Sequence, residues 1–387
     1  MKHKNITLLT WHNFFLDFKF YGPIAILYFS QLTGSYALGL GIFSVISIAV
    51  AIFELPTGVI SDLVGRKESM IFGSLASVLG LLCFALAQGP WFLVLGAILI
   101  GISETFFSGN NDALLYDTLK EKNHEKEYAE ILGKVSSMFQ VGLAAGALIG
   151  GFVAGWSFRF VFWISVAPQV VCMILSFFVI EPKKHYEKVS TNVFDHVGKS
   201  LKEFGKNWKL RQLSLASILK FGIGETLFQF IPAFFALLWP VWALGIPRFL
   251  SHLFGAIGFR VSGMVVKKIT PLKAIVMSVL SSRVINIFAF TLPTFISPVL
   301  VAITSFFFGV RTVSQNTLMQ QEFTHHQRAT MGSLNNLFGN IFFALFAFLF
   351  GFLADIVGPI NALLIGQGLL LIQLVIYWSL FKRMERV

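Results

Sequence analysis

The chain has 387 residues, of which 56% are hydrophobic and 13% charged, with a mean hydropathy of +0.75 and a formal net charge of +11. Soluble domains carry about a quarter charged residues and do not sustain such apolarity over several hundred positions. A soluble enzyme or binding module is therefore excluded, and the apolar residues recur in runs of about 20, the length of a bilayer-crossing helix.

Twelve such runs are predicted in chain order: 10–31, 37–61, 69–88, 91–117, 131–155, 159–180, 210–233, 238–265, 273–292, 297–320, 330–354 and 359–381. The fold class is an all-α polytopic membrane protein. The positive charge follows the loops. With both ends placed inside, most of the 30 bases fall in inside segments, among them Lys2, Lys4, Arg66, Lys67, Lys120, Lys183, Lys184, Lys267, Lys268, Lys382 and Arg383. The outside turns carry only Arg159. Lysine and arginine resist export, so this bias expects cytoplasmic termini and accounts for the charge without a nucleic-acid partner. Cys83 and Cys172 lie within apolar runs without metal-type spacing. No cleavable leader and no appended catalytic domain are expected.

The first run carries Asp17 and Lys19. Asn13, Asp17, Tyr21 and Tyr28 follow i, i+4, i+8 and i+15, so a continuous helix would place them on one side. The second run contains Glu54 and ends in Gly58-x-x-x-Asp62-x-x-Gly65-Arg66-Lys67. Gly58 is expected to admit a neighbouring helix, Gly65 a tight turn, and Asp62 to pair with Arg66 or face a helix N-terminus. In the fourth run Glu104, Ser108 and Asn111 share a predicted face, with Asp112 beside them. The fifth holds Gly142-x-x-x-Gly146-Ala147-x-x-Gly150-Gly151, a smooth face for close helix packing. Residues 181–209 form the one long loop. Val193, Val197, Leu201, Phe204 and Trp208 lie on one helical face there, the pattern of an amphipathic helix on the membrane surface.

The second six runs echo the first. "AEILGKVSSMFQ" of the fifth answers "ATMGSLNNLFGN" of the eleventh, and Gly101 answers Gly309. Glu225 and Gln229 lie in the seventh run, Arg248 and His252 in the eighth, Arg283 in the ninth, and Arg311, Ser314 and Gln315 in the tenth. The expected organisation is a six-helix half at 1–180, a cytoplasmic linker at 181–209 and a second half at 210–387. Parallel repeats of this kind are a transporter layout.

The Gly58–Lys67 motif, with twelve runs divided six and six by a long loop, resembles the major facilitator superfamily. The resemblance implies that Gly58, Asp62, Gly65, Arg66 and Lys67 act as a cytoplasmic gating latch. It also implies that the polar stripes of runs one, four, seven and ten line a central cavity. The glycine series of the fifth run is similar to the signature of proton-coupled exporters, with Ala147 where that signature has proline. Ala97 stands where many members carry an arginine. In the second half Gly263 matches Gly58, but Lys267 replaces the acid, and Thr270-Pro271 replaces Gly65-Arg66.

An ionisable side chain at the bilayer centre costs about 2.5–3.5 kcal/mol on insertion scales. The acids Glu54, Glu104, Glu225, Asp17 and Asp112 are therefore candidates for proton coupling. Tyr21, Tyr28, Ser108, Asn111, Gln229, Arg311, Gln315, Arg248 and Arg283 are candidates for contact with a substrate. The expected activity is secondary active, proton-coupled efflux of a small amphiphilic, drug-like molecule by a monomer in a bacterial inner membrane. The alternatives are proton-coupled import of an anionic metabolite, suggested by the three arginines, and a sensor that moves nothing. No metal cluster, nucleophile elbow or phosphate loop occurs, so neither an enzyme nor a cofactor other than the proton is expected.

Overall fold

In the computed structural model the described residues are 4–108, 110–121, 123–124, 127–182, 208–322 and 328–384. They are all-α, with no strand among them. Eight helices come first: α1 Lys4–Leu16, α2 Ala25–Thr33, α3 Tyr36–Val64, α4 Arg66–Leu86, α5 Pro90–Phe107, α6 Asn110–Lys120, α7 Tyr128–Ala154 and α8 Phe158–Phe177. After residue 207 follow α9 Trp208–Leu238, a 3₁₀ turn Val241–Ala243, α10 Gly245–Ile269, α11 Pro271–Thr291, α12 Ser297–Glu322, α13 Arg328–Leu370 and α14 Ile372–Met384. The amphipathic helix expected near 193–208 falls mostly outside the described residues.

Local chemistry sets the helix ends. Gly34 (φ 84°) closes α2, and the Ser35 hydroxyl accepts the Leu38 amide at 3.1 Å to open α3. Ser157 caps α8 in the same way through Phe160, while Pro90 and Pro271 take the first turns of α5 and α11. Large apolar side chains such as Leu55, Trp91 and Val375 are about three-quarters exposed. In water such surface would be an aggregation hazard; in a bilayer it is the lipid-facing surface.

Among the described residues ten segments are long and apolar enough to cross a membrane. The last of these, Leu334–Leu380, contains two crossings, because Gly358 (φ 80°) before Pro359 breaks the helical path of α13. With the interrupted pair α1–α2 standing for the first run, the described residues account for the twelve runs that the sequence predicts.

Two predicted helices are broken. The sequence pattern expects span one to be continuous, but α1 ends at Leu16 and α2 starts at Ala25. Pro23 has no N–H for the Lys19 carbonyl and constrains Gly22 before it, so the i→i−4 ladder fails there. Asp17, Lys19 and Tyr21 consequently lie on irregular chain, and the expected common face of Asn13, Asp17, Tyr21 and Tyr28 is lost. Span four is likewise divided, since Ser108 (ψ 112°) leaves the helical region after α5. Glu104 and Asn111 therefore belong to different helices.

The chain forms two compact units, Met1–His185 with Trp239–Phe249, and Tyr186–Leu238 with Leu250–Val387. Trp239–Phe249, which sequence places in the second half, thus belongs to the first unit. It sits against α7, where Gly151 and Gly155 leave no room for a side chain beside Gly245 and Trp242. In the first unit Gly101 of α5 meets α3, an added Cβ falling 2.7 Å from the Ile46 carbonyl oxygen. In the second, Gly309 of α12 meets α10 in the same manner, 2.6 Å from the Phe259 nitrogen. Small residues at equivalent positions thus bring backbones together in both units.

Candidate functional site

A helix broken inside a membrane leaves backbone groups that protein must satisfy. At the break in span one this falls to Gln169 of α8, which is fully buried. Its side-chain amide donates to the carbonyls of Phe15 and Leu16 at 3.3 and 3.2 Å, and its oxygen accepts from the Ser77 hydroxyl at 3.0 Å. The other side of the break rests on α7. Cβ atoms at Gly142, Gly146 and Gly150 would run into the backbone of Phe14, Lys19 and Phe20 respectively. The four-residue spacing of these glycines seats the last turn of α1 and the irregular chain that follows it.

Gln169 and the break together hold open a cavity of about 210 Å³ within the first unit, among whose lining residues are Asp17, Lys19, Tyr21, Ser103, Glu104 and Gln169. Lys19 Nζ stands 3.5 Å from the Asp17 carboxylate, and Glu104 lies within electrostatic reach of both. Tyr21 stacks on Phe162 at 5.3 Å between ring centres. Two carboxylates thus face one ammonium inside a membrane-spanning bundle, where uncompensated charge is costly.

The other candidates are distributed. Glu54 of α3 is half-buried beside Ser108. Asn111 donates to Asn13 at 3.1 Å, and Asp112 is exposed on α6. Tyr28 does not line the cavity: it is buried, with its hydroxyl on the Phe84 carbonyl at 2.7 Å and its ring on Phe162. The reason is the break, after which α2 takes a course of its own. Glu225 accepts from Gln229 at 2.7 Å in the second unit. Arg248 is buried in the first unit and reaches the Gly22 carbonyl at 3.5 Å. Arg283, Arg311 and Gln315 are buried in the second unit. They lie in a polar core of that unit, apart from the first-unit cavity.

The charged turn after α3 is built on Gly65, whose φ of 120° disfavours a side chain. The Glu181 carboxylate accepts the amides of Arg66 and Lys67 at 2.9 and 2.8 Å, capping α4 with a negative charge. Arg66 Nη1 donates to Ser61 at 3.2 Å, and Asn110 ties Ser61 to the Arg66 carbonyl. The Asp62 side chain is not among those described. Gly58 does not serve as a close-packing point within the described residues, because nothing stands within 4 Å of where its Cβ would be. Sequence reasoning misses Glu181, Gln169 and Ser77. Gln169 alone carries a signal, as an amide inside an apolar run next to Pro168.

The family model described as Major Facilitator Superfamily matches residues 12–345. The chain is a member of the Major Facilitator Superfamily. It is accordingly a multi-pass membrane protein of a transporter superfamily. Among curated relatives, the multidrug resistance protein MdtG of Salmonella paratyphi C is 32% identical over 204 residues, covering 50% of this chain and 48% of that protein. The uncharacterized transporter BU466 of Buchnera aphidicola is 32% identical over 152 residues, covering 39% of this chain and 37% of that protein. The matched segment thus spans less than half of these relatives' own length. Among solved structures, a point mutant of the nucleoside transporter NupG superposes with a TM-score of 0.83 at 14% identity, covering 97% of this chain and 100% of that one. A bacterial homologue of the human lysosomal transporter Spinster superposes at 0.78 with 17% identity, covering 98% and 97%. At these identities the solved structures speak to the superfamily's fold and not to a substrate.

Proposed function

We propose that this superfamily member is a proton-coupled exporter of a small amphiphilic molecule, working by alternating access, with Asp17, Lys19 and Glu104 as its coupling cluster. The observation that carries the reading is the cavity at the break of span one. It places two acids and one base in a membrane-spanning bundle beside aromatic and apolar walls, Tyr21, Leu81, Ile100 and Phe107. The names of relatives such as MdtG and MdtH support efflux. The loop charge bias supports cytoplasmic termini in a bacterial inner membrane. Import of an anionic metabolite is the weaker reading. Its arginines sit in helix cores, two of them held by glutamines, rather than on the cavity wall.

The test is transport of a lipophilic cationic dye into proteoliposomes with an acidic lumen. Dye accumulation that collapses when the pH difference is dissipated is expected. Dye moving in the same direction as the protons would overturn the exporter reading. Glu104→Gln should abolish gradient-driven accumulation and retain exchange of dye for dye.

A further inference from the structure

We infer that the second unit contains a binding site for a small inorganic anion, centred on the Arg311 guanidinium and completed by Gln373 and Tyr377. Arg283 and Lys220 add positive charge around it.

Arg311 is 5% exposed, in the middle of the membrane-spanning helix α12. A guanidinium offers five donors and does not lose its proton in proteins. Here one of them finds an acceptor, Gln373 Oε1, at the 3.5 Å limit of a hydrogen bond, and Nε has none among the described residues. Gln373 is fully buried and its amide nitrogen is also without a partner among the described residues. One turn further along α14, the hydroxyl of fully buried Tyr377 has no partner among the described residues and lies within electrostatic range of Arg311. Three donors from two helices are therefore left open around one fixed positive charge.

The neighbouring charges have the same sign. Arg283 of α11 is 8% exposed; it donates to Gln367 and Ser282, and its Nε has no partner among the described residues. Lys220 of α9 donates to Thr312 at 3.0 Å and lies over the Phe308 ring. Both feel Arg311 as a like charge. Among the described residues none of the three forms an ion pair. The acids of the described side chains in this unit are Glu225, bonded to Gln229, and Asp355, which is exposed. Three cations in a bilayer-spanning bundle with no ion pair among the described residues are costly to bury. An anion at Arg311 removes repulsion and satisfies the open donors together. Solvent does not reach these atoms, so the occupant is an ion of one or a few atoms and not an organic acid.

The test needs no transport and stays readable whether or not the exporter reading holds. The full-length protein is purified in detergent, with potassium gluconate at constant ionic strength replaced stepwise by potassium chloride, and in a second arm by potassium phosphate. Thermal unfolding is followed by tryptophan fluorescence. We expect a saturable rise of about 3 °C or more in Tm with at least one small anion, as a ligand of the folded state gives. Arg311→Gln should remove the dependence. Tyr377→Phe and Gln373→Leu, which retain packing, should each weaken the apparent affinity at least about fivefold, the loss of one hydrogen bond to a charged group. Arg159→Gln, in the other unit, should leave the dependence unchanged. A Tm indifferent to both anions, or a response of the same midpoint in Tyr377→Phe and Gln373→Leu, would refute the site even if Arg311→Gln failed to fold.

Discussion

Gly150→Ala puts the seating of span one to a quantitative test. A methyl group at Gly150 would stand 2.6 Å from the Phe20 carbonyl carbon and 2.9 Å from its Cα, with the carbonyl oxygen closer still. Carbon atoms in contact prefer about 3.5–4.0 Å, so α7 and the irregular chain must part by about 1 Å. The obstructing atoms are backbone and cannot swing away. Overpacking costs about 1–3 kcal/mol, and the upper end applies where backbone must move. For a body of 150–250 residues each kcal/mol is worth about 2–4 °C, so a fall in Tm of roughly 6–12 °C is expected. Two controls lie on the same helix. At Gly146 the nearest atoms are 3.0–3.2 Å away, and the loss should be about 1 kcal/mol. At Gly133 nothing lies within 4 Å, and alanine should be neutral or stabilising by up to about 1 kcal/mol. Thermal unfolding of the purified variants, checked by gel filtration, gives the ranking. A Gly150→Ala protein within about 2 °C of the parent, less than the smallest shift a 1 kcal/mol loss would give, or a Gly146→Ala protein less stable than it, would refute this account of the glycine series.

Further expectations follow from single contacts. Gln169→Leu removes two donors from the freed carbonyls of Phe15 and Leu16. It should cost about 1–3 kcal/mol and shift the pH profile of dye transport, whereas an unaltered profile would detach Gln169 from the coupling cluster. Thr270 has a φ of 67°, a strained value for a β-branched residue, at the position that Gly65 holds in the first unit. Thr270→Gly should stabilise by about 1 kcal/mol, strain relief of about 1–3 outweighing glycine's entropy of up to about 1; a lower Tm would count against it. Glu181→Ala should cost about 1–2 kcal/mol by uncapping α4, and hydrogen exchange at the Arg66 and Lys67 amides should rise about five- to thirtyfold, the equivalent of that cost.

The fold was legible because membrane insertion leaves few solutions: a run of about 20 apolar residues must be a helix, and basic loops have a preferred side. The interruptions were not legible from periodicity. A 3.6-residue pattern drawn through Asn13, Asp17 and Tyr21 assumes the helix it is meant to reveal, and the Gly22-Pro23 pair was the sign that it fails. The same limit applies to the site. Asp17, Lys19 and Glu104 stood out because charge is conspicuous in an apolar run, whereas Gln169 acts through contacts with Phe15 and Leu16, far away in sequence. Tyr28 looked like a cavity residue by spacing, and its hydroxyl instead found the carbonyl near the end of α4. The Gly142–Gly150 spacing declared a close-packing face, but which surface it would meet depended on the break.

Glu181 has a mechanical consequence. It is both the cap of α4 and the place where the chain departs for the long connecting segment, one residue before Pro182. A displacement of Glu181 is therefore transmitted through two hydrogen bonds straight to the Arg66–Lys67 turn. The chain after α8 and the charged turn after α3 are thereby made one piece, so that neither can shift without the other.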